Sequence, residues 1–322
     1  MMMLRKRIKS WMTDETKQPK AASENKGDKY AMEKRLKKME NMLNEIRTNE
    51  FNFFYTLLRM NLSMENRLND MSNIMLGNKT NHIEHILRIW KLLRIKRVKD
   101  TPFIRVGAPH DGGYVMLDDL KGSVAYSFGI SNDVSWDDAM TEHGYDIYMY
   151  DFSIKELPYK KKQFHFFKKG IASSIPYDTY LNTLENFMEK NGHRNHKNMI
   201  LKMDVEGAEW GFFNMVKEET LCQFDQIVME WHNLNSNDWT ENIIKGMEKV
   251  YRTHTLVHVH ANNYCNVTYY DGKAYPDTIE IVLANNAQYD FEEIEVAHLP
   301  IPEDAPNWME RSDIILGNVN EP

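Results

Sequence analysis

The sequence predicts an α/β fold, a mainly parallel sheet with helices on both faces, preceded by a long α-helical coiled coil. Three observations predict it. Beyond Asp100 strand-like and helix-like stretches alternate; acids, glycines and histidines collect where those strands end; and before Asp100 an apolar residue recurs every three or four positions.

In chain order, residues 1–29 are polar and rich in Lys, Ser and Asn, with few groups to bury, which predicts a disordered tail. The opening "MMMLRKRIKSWM" has two readings, a basic surface helix that touches anionic membrane or a solvated tail. From Met32, steps of four and three meet Leu36, Met39, Leu43, Ile46, Phe53, Leu57, Met60, Met64, Met71 and Ile74, with Glu50 and Arg67 as breaks. Moving the register to Leu68 and Met75 absorbs the second break, as a stutter would. Either this is one amphipathic helix lying on its own domain, or it is a coiled coil; the length and the narrow seam favour the coiled coil, hence a homo-oligomer. "GNKTN" ends the seam and "HIEHILRIWKLLRIKRV" reads as one more amphipathic helix, so a helical region of 30–98 leads into a sheet domain of 99–322.

In that domain "SVAYSFG", "YDIYMYD", "QFHFFKKGIA", "MILKMD", "FDQIVMEWH", "HTLVHVHANN" and "DTIEIVLANN" read as strands. Between them "SWDDAMTEHG", "YDTYLNTLENFMEKNG", "EWGFFNMV" and "ENIIKGMEKVY" read as helices. Ligands of such sheets bind beyond the carboxyl ends of the strands, which singles out Gly129, Asp151, Gly170, Asp204, Glu230, His232, His260, Asn262 and Asn263. Around Gly207 the stretch "MILKMDVEGAEW" crowds Asp204, Glu206 and Glu209. Capping and the helix dipole account for Glu209 at a helix start. They account less well for Asp204, which directly follows a buried strand and faces the crevice.

Composition narrows the partners. A net charge of −7 and a pI near 6.0 imply no broad basic surface for nucleic acid. Cys222 and Cys265 are too few for a disulfide framework and fit a reducing compartment. No apolar run approaches the roughly 20 residues of a membrane span, and no signal peptide is evident. A cytoplasmic location is expected.

"LKMDVEGAEW" resembles the signature of the FkbM-type methyltransferases, a branch of the class I S-adenosylmethionine-dependent fold, with "YSFGISND" in the place of their glycine loop. The resemblance spans roughly 105–286 and implies a seven-stranded Rossmann-like sheet with one antiparallel strand, "DTIEIVLA". It implies further that Gly129 lets backbone approach the cofactor and that Asp151 accepts bonds from the ribose hydroxyls, unless Asp151 is only a strand-end cap. Ile171 is either an adenine contact or a core residue. Ser127 stands where the family usually has an acid, so either Asp133 replaces the contact to the cofactor's amino group or the loop holds its ligand differently. "HDGGYVML" folds a hairpin over the same crevice or lies on the surface.

The activity this resemblance implies is O-methylation of a sugar hydroxyl or another polar metabolite in glycan or natural-product assembly. It needs in-line placement and a base. His232 is the leading candidate base, with His258 and His260 as further candidates on the next strand; Asp204, Glu206 and Glu230 form an acidic wall that orients the base or the acceptor. Similarity to catechol-type members of the wider fold suggests a divalent ion such as Mg²⁺ on Asp204 and Glu230, although Gly207 replaces the lysine that such members use as base. Two rival classes remain: a non-catalytic oligomeric assembly protein with a decayed pocket, and a nicotinamide oxidoreductase, which "FGISND" disfavours by lacking G-x-G-x-x-G.

Overall fold

The computed structural model describes residues 79–173, 180–294 and 298–320. The chain divides into two units, residues 1–69 and 70–322, and every described residue belongs to the second. The basic start and the heptad of 32–74, with the oligomer expected from it, lie outside the described residues.

Helix α1 (Lys79–Trp90) opens the described chain. The sequence carries this helix on to Val98, but it stops at Trp90, and β1 (Lys96–Val98) follows. Burial explains the stop: Ile86, Ile89, Trp90, Leu93 and Ile95 all enter the main core, which a straight continuation would leave behind. The Asn320 side chain then fixes the turn, accepting from Ile95 N at 2.9 Å and donating to Ile95 O at 3.0 Å. The chain from Ile83 to Val98 thus sends its apolar side chains into the globular cores.

Next come β2 (Phe103–Val106), β3 (Tyr114–Leu117), β4 (Val124–Phe128), α2 (Ser135–Glu142) and β5 (Asp146–Tyr150), then β6 (Phe164–Phe167), β7 (Gly170–Ile171), β8 (Leu181–Asn182) and α3 (Leu184–Lys190). The chain continues through β9 (Met199–Met203), α4 (Glu209–Met215), α5 (Glu218–Leu221), β10 (Phe224–Trp231), α6 (Thr240–Val250) and β11 (His254–Ala261). It closes with β12 (Val267–Tyr270), β13 (Lys273–Pro276), β14 (Ile279–Asn285), β15 (Phe291–Glu293), β16 (His298–Leu299) and β17 (Gly317–Asn318). The seven-stranded sheet runs β11-β14-β10-β9-β4-β5-β6. Only β14, the strand read from "DTIEIVLA", runs against its neighbours, on both sides. Among the described residues no helix is long and apolar enough to cross a membrane.

One strand expectation is corrected. "QFHFFKKGIA" is not one strand: β6 ends at Phe167, and the Lys169 amide bonds back to Phe167 O at 2.7 Å, so the chain turns and β7 pairs with β8 instead. Helices lie on both faces of the sheet, as expected, and a hairpin joins them on the second. One face packs the aromatic and Met side chains of β4, β9 and β10 on α1, α3, α4 and α6. The other is closed by α2 and by the antiparallel β2/β3 hairpin, whose β3 is fully buried. Gln226 of β10 fastens that hairpin, accepting from Leu117 N at 2.9 Å and donating to Leu117 O at 3.1 Å. The "YVML" half of "HDGGYVML" therefore lies buried over the sheet, while Asp111 at the turn is exposed.

Candidate functional site

The strand order reverses between β4 and β9, which places the ligand crevice beside Gly129 and Asp204. Gly129 takes φ 75°, and a Cβ there would stand 1.6 Å from the Asp204 carbonyl oxygen, so no other residue fits. The glycine is required by this backbone contact whether or not a ligand is bound. On the other side, Glu206 (φ 58°) and Gly207 (φ 102°) turn the chain sharply into α4. A left-handed glutamate is strained, and the turn leaves its carboxylate beside the end of β10.

Four carboxylates surround one imidazole there. His232 is buried, and its Nε2 lies 3.0 Å from Glu230, 3.6 Å from Glu206 and 3.9 Å from Asp204. Behind it Glu209, fully buried, accepts from His232 Nδ1 at 3.1 Å, from the His232 amide at 2.6 Å and from the Gly207 amide at 2.9 Å. Glu209, which capping had seemed to explain, is the residue that aims the ring. Burial works against the charged ring, but Glu209 and Glu230 outweigh it and hold the His232 pKa well above its usual range. Burial and then the charge of Glu230 push the Asp204 carboxyl upward, with Lys202 and His232 opposing. Asp204 Oδ1 is buried with no hydrogen-bond partner among the described residues. The Tyr114 hydroxyl donates to Asp204 Oδ2 at 3.5 Å, and the Asn262 side chain donates to Glu230 Oε1.

Asp204, Glu230 and His232 each bring one donor atom within 4.8 Å of the others, so these three could hold a cation. The set adds a nitrogen to the two carboxylates foreseen from sequence. With Nδ1 held by Glu209, Nε2 is the ring atom turned toward Glu230 and Asp204, the arrangement by which a carboxylate orients a metal-binding histidine. A mixed N/O set suits Mn²⁺, Fe²⁺ or Zn²⁺ as well as Mg²⁺.

The predicted cofactor residues are distributed less simply. Asp151 reaches the end of β5, but its carboxylate is occupied: Oδ2 accepts from the Ile130 and Ser131 amides at 2.9 and 2.8 Å, Oδ1 from Ser153 N and Oγ at 2.7 and 2.6 Å. Burial would raise its pKa, yet these bonds outweigh burial and lower it. As it stands it holds the glycine loop and offers no lone pair to a ribose. Asp133 is exposed and accepts from Ser135 N at 2.7 Å, a local cap. Ser127 is fully buried inside the sheet, and Ile171 is a buried member of the main core on β7.

Lys202 and Asp137 were not read from the sequence. Lys202, a cation in the apolar run "MILKMD", donates from Nζ to the Gly129 carbonyl at 2.7 Å and lies 5.5 Å from the Tyr114 ring centroid. Asp137, 1% exposed, sits beside it; burial raises its pKa to about 6 against the pull of Lys202 and Ser127. A lysine interrupting a buried strand was the available signal. Asp137 stands in the first turn of α2, where acids are ordinary, so no sequence signal marks it.

His258 and His260 go elsewhere. His258 Nε2 meets Asp304 at 2.8 Å, and His260 bridges Glu280 through Nδ1 and Asp313 through Nε2, both at 3.1 Å. Burial lowers and the two carboxylates raise the His260 pKa, to about 10, so both its nitrogens carry protons at neutrality. As placed, both of its nitrogens are taken up by carboxylates, whereas Nε2 of His232 faces the acids at the crevice. Both histidines instead moor the segment 298–320 along the ends of β11 and β14. Cys222 and Cys265 are both free thiols.

Residues 127–264 match the family model of the methyltransferase FkbM domain. The match takes in the glycine loop, Asp151, "LKMDVEGAEW", Glu230 and His232, and the family read from that signature is the one found. The chain is also similar to the human probable methyltransferase-like protein 24, at 27% identity over 119 residues, 33% of this chain and 32% of that protein. It therefore spans about a third of the length of the curated relative it matches.

Proposed function

We propose that the protein is an S-adenosylmethionine-dependent methyltransferase acting on a hydroxyl of a sugar or other polar metabolite. The observation that carries this reading is the convergence of Asp204, Glu206 and Glu230 on His232 at the point where the sheet order reverses, with Glu209 fixing the ring from behind. The cofactor fits this edge in part: the unpartnered Asp204 Oδ1 and the loop from Gly129 to Ser131 would hold it, whereas Asp151 is already occupied. When bound it supplies an electrophilic methyl on a sulfonium. The acidic wall accepts bonds from the acceptor's hydroxyls and orients one of them toward His232.

At rest the surrounding carboxylates keep a proton on His232. The cofactor's positive charge beside Asp204, Glu206 and Glu230 would favour the neutral ring; Nε2 then loses its proton to water and accepts the proton that the acceptor's hydroxyl releases. A second reading has its own support in the three-donor set: His232 is a ligand, and a divalent ion on Asp204, Glu230 and His232 lowers the acceptor's pKa directly.

The test is incubation with methyl-labelled cofactor and a panel of nucleotide sugars and glycans, read by mass spectrometry with and without chelator. Label on oxygen is expected, and His232→Ala should lower turnover about 10²–10⁴-fold with cofactor affinity nearly unchanged. Label on nitrogen or carbon overturns the reaction type. Activity lost to chelator and restored by Mn²⁺ makes His232 a ligand; activity indifferent to chelator leaves it the base.

A further inference from the structure

An aromatic pile outside the chemistry described so far stands on the segment whose Asn262 reaches the acidic wall. Tyr264 and Trp308 stack with ring centroids 5.1 Å apart and planes 15° from parallel, and the Arg311 guanidinium lies 3.7 Å from the Trp308 centroid. Tyr264 is nevertheless 54% exposed. Two adjacent asparagines set its position. Asn262 accepts from the Tyr264 amide at 2.8 Å while its side chain donates to Glu230 Oε1, so the backbone at Tyr264 is registered to the wall. Asn263, also buried, accepts from Trp308 N at 2.7 Å and donates to Trp308 O at 3.1 Å, which pins the segment that backs the ring.

We infer that the exposed face of Tyr264 is the platform on which the acceptor's sugar ring rests while its hydroxyls reach Glu230 and the neighbouring acids; this rests on the transferase reading above. A pyranose has one face of C–H groups and a rim of hydroxyls. It therefore needs an aromatic face and acceptor oxygens side by side, and Tyr264 and Glu230 supply the two through one intervening asparagine. Stacking on Trp308, itself in contact with Arg311, holds the ring before the ligand arrives, which reduces the ordering cost of binding. An apolar protein partner would find the same ring but no use for the carboxylates beside it.

The test is saturation-transfer NMR on the full chain with an equimolar mixture of methyl glucoside, methyl galactoside and methyl mannoside, with glycerol as a polyol lacking a ring. Ring protons of at least one glycoside should saturate on the wild type, fall at least about fivefold in Tyr264→Ala and Tyr264→Leu, and persist in Tyr264→Phe. Tyr269→Ala, which removes a tyrosine that is 73% exposed on β12, should change nothing. Absence of saturation on the wild type, equal saturation of glycerol, or equal signal in Tyr264→Ala overturns the proposal. Glycoside binding without methyl transfer to any acceptor would retire the transferase and keep the platform. Transfer at equal efficiency in Tyr264→Ala would do the reverse.

Discussion

His254 and His260 lie on the same strand and are driven to opposite protonation states. His254 is fully buried, with Nε2 donating to Phe224 O at 3.0 Å; burial drives its pKa down to about 4. His260, between two carboxylates, is held at about 10. An unfolded histidine titrates near 6.5. The depressed His254 contributes stability present above that value and lost as pH falls toward 4. The raised His260 contributes stability present below it and lost as pH rises toward 10. Each limb has a slope of up to about 1.4 kcal/mol per pH unit. Urea unfolding of the wild type should therefore fall away on both sides of about pH 6.5. His254→Gln should flatten the acid limb and His260→Gln the alkaline limb, and limbs unchanged in both variants would show that neither histidine is held as described. "HTLVHVHANN" showed the three histidines but not that their partners come from β14, from the β10 backbone and from the C-terminal segment.

Among the elements, the glycine loop after β4 depends on the end of β5, because Asp151 accepts from two of its amides. Asp151→Ala leaves those amides without their acceptor and should cost about 1–3 kcal/mol of stability. It should also speed hydrogen exchange at Ile130 and Ser131, read by mass spectrometry. Amides that stay protected in the variant would mean that something else holds the loop. The strands were legible in sequence because apolar runs ended by Gly, Asp or His have few other readings. The division of "QFHFFKKGIA" into β6 and β7 was not, since its turn is made by the Lys169 amide returning to Phe167. The cover of the second face was likewise hidden, for it depends on Gln226 of β10 clasping Leu117 more than a hundred residues earlier in the chain, |i−j| being 109.

At the scale of the molecule the two units separate at residue 69. The second carries its own sheet and core, so a chain starting at Asp70 should fold alone. If the heptad of 32–74 is a coiled-coil seam, the full chain is an oligomer and the shortened one is of lower order. Light scattering at micromolar concentration checks this, and a monomeric full chain would refute it. Activity should survive the truncation, because each residue assigned to the site lies beyond Asp100.

Alternation and strand-end residues predicted the mainly parallel sheet, and the run "LKMDVEGAEW" carried the resemblance that implied its single reversed strand and the family whose model matches residues 127–264. These are properties of local period and local motif, which a linear chain displays. Tertiary structure alone decided which of the nominated groups are engaged with one another. It turned Glu209 from a helix cap into the residue that aims His232, occupied Asp151 with the loop, withdrew His260 into a buried ion pair, and brought Trp308 behind Tyr264. Protonation and hydrogen bonding depend on burial and on neighbours within a few ångströms, and here those neighbours come from segments distant along the chain.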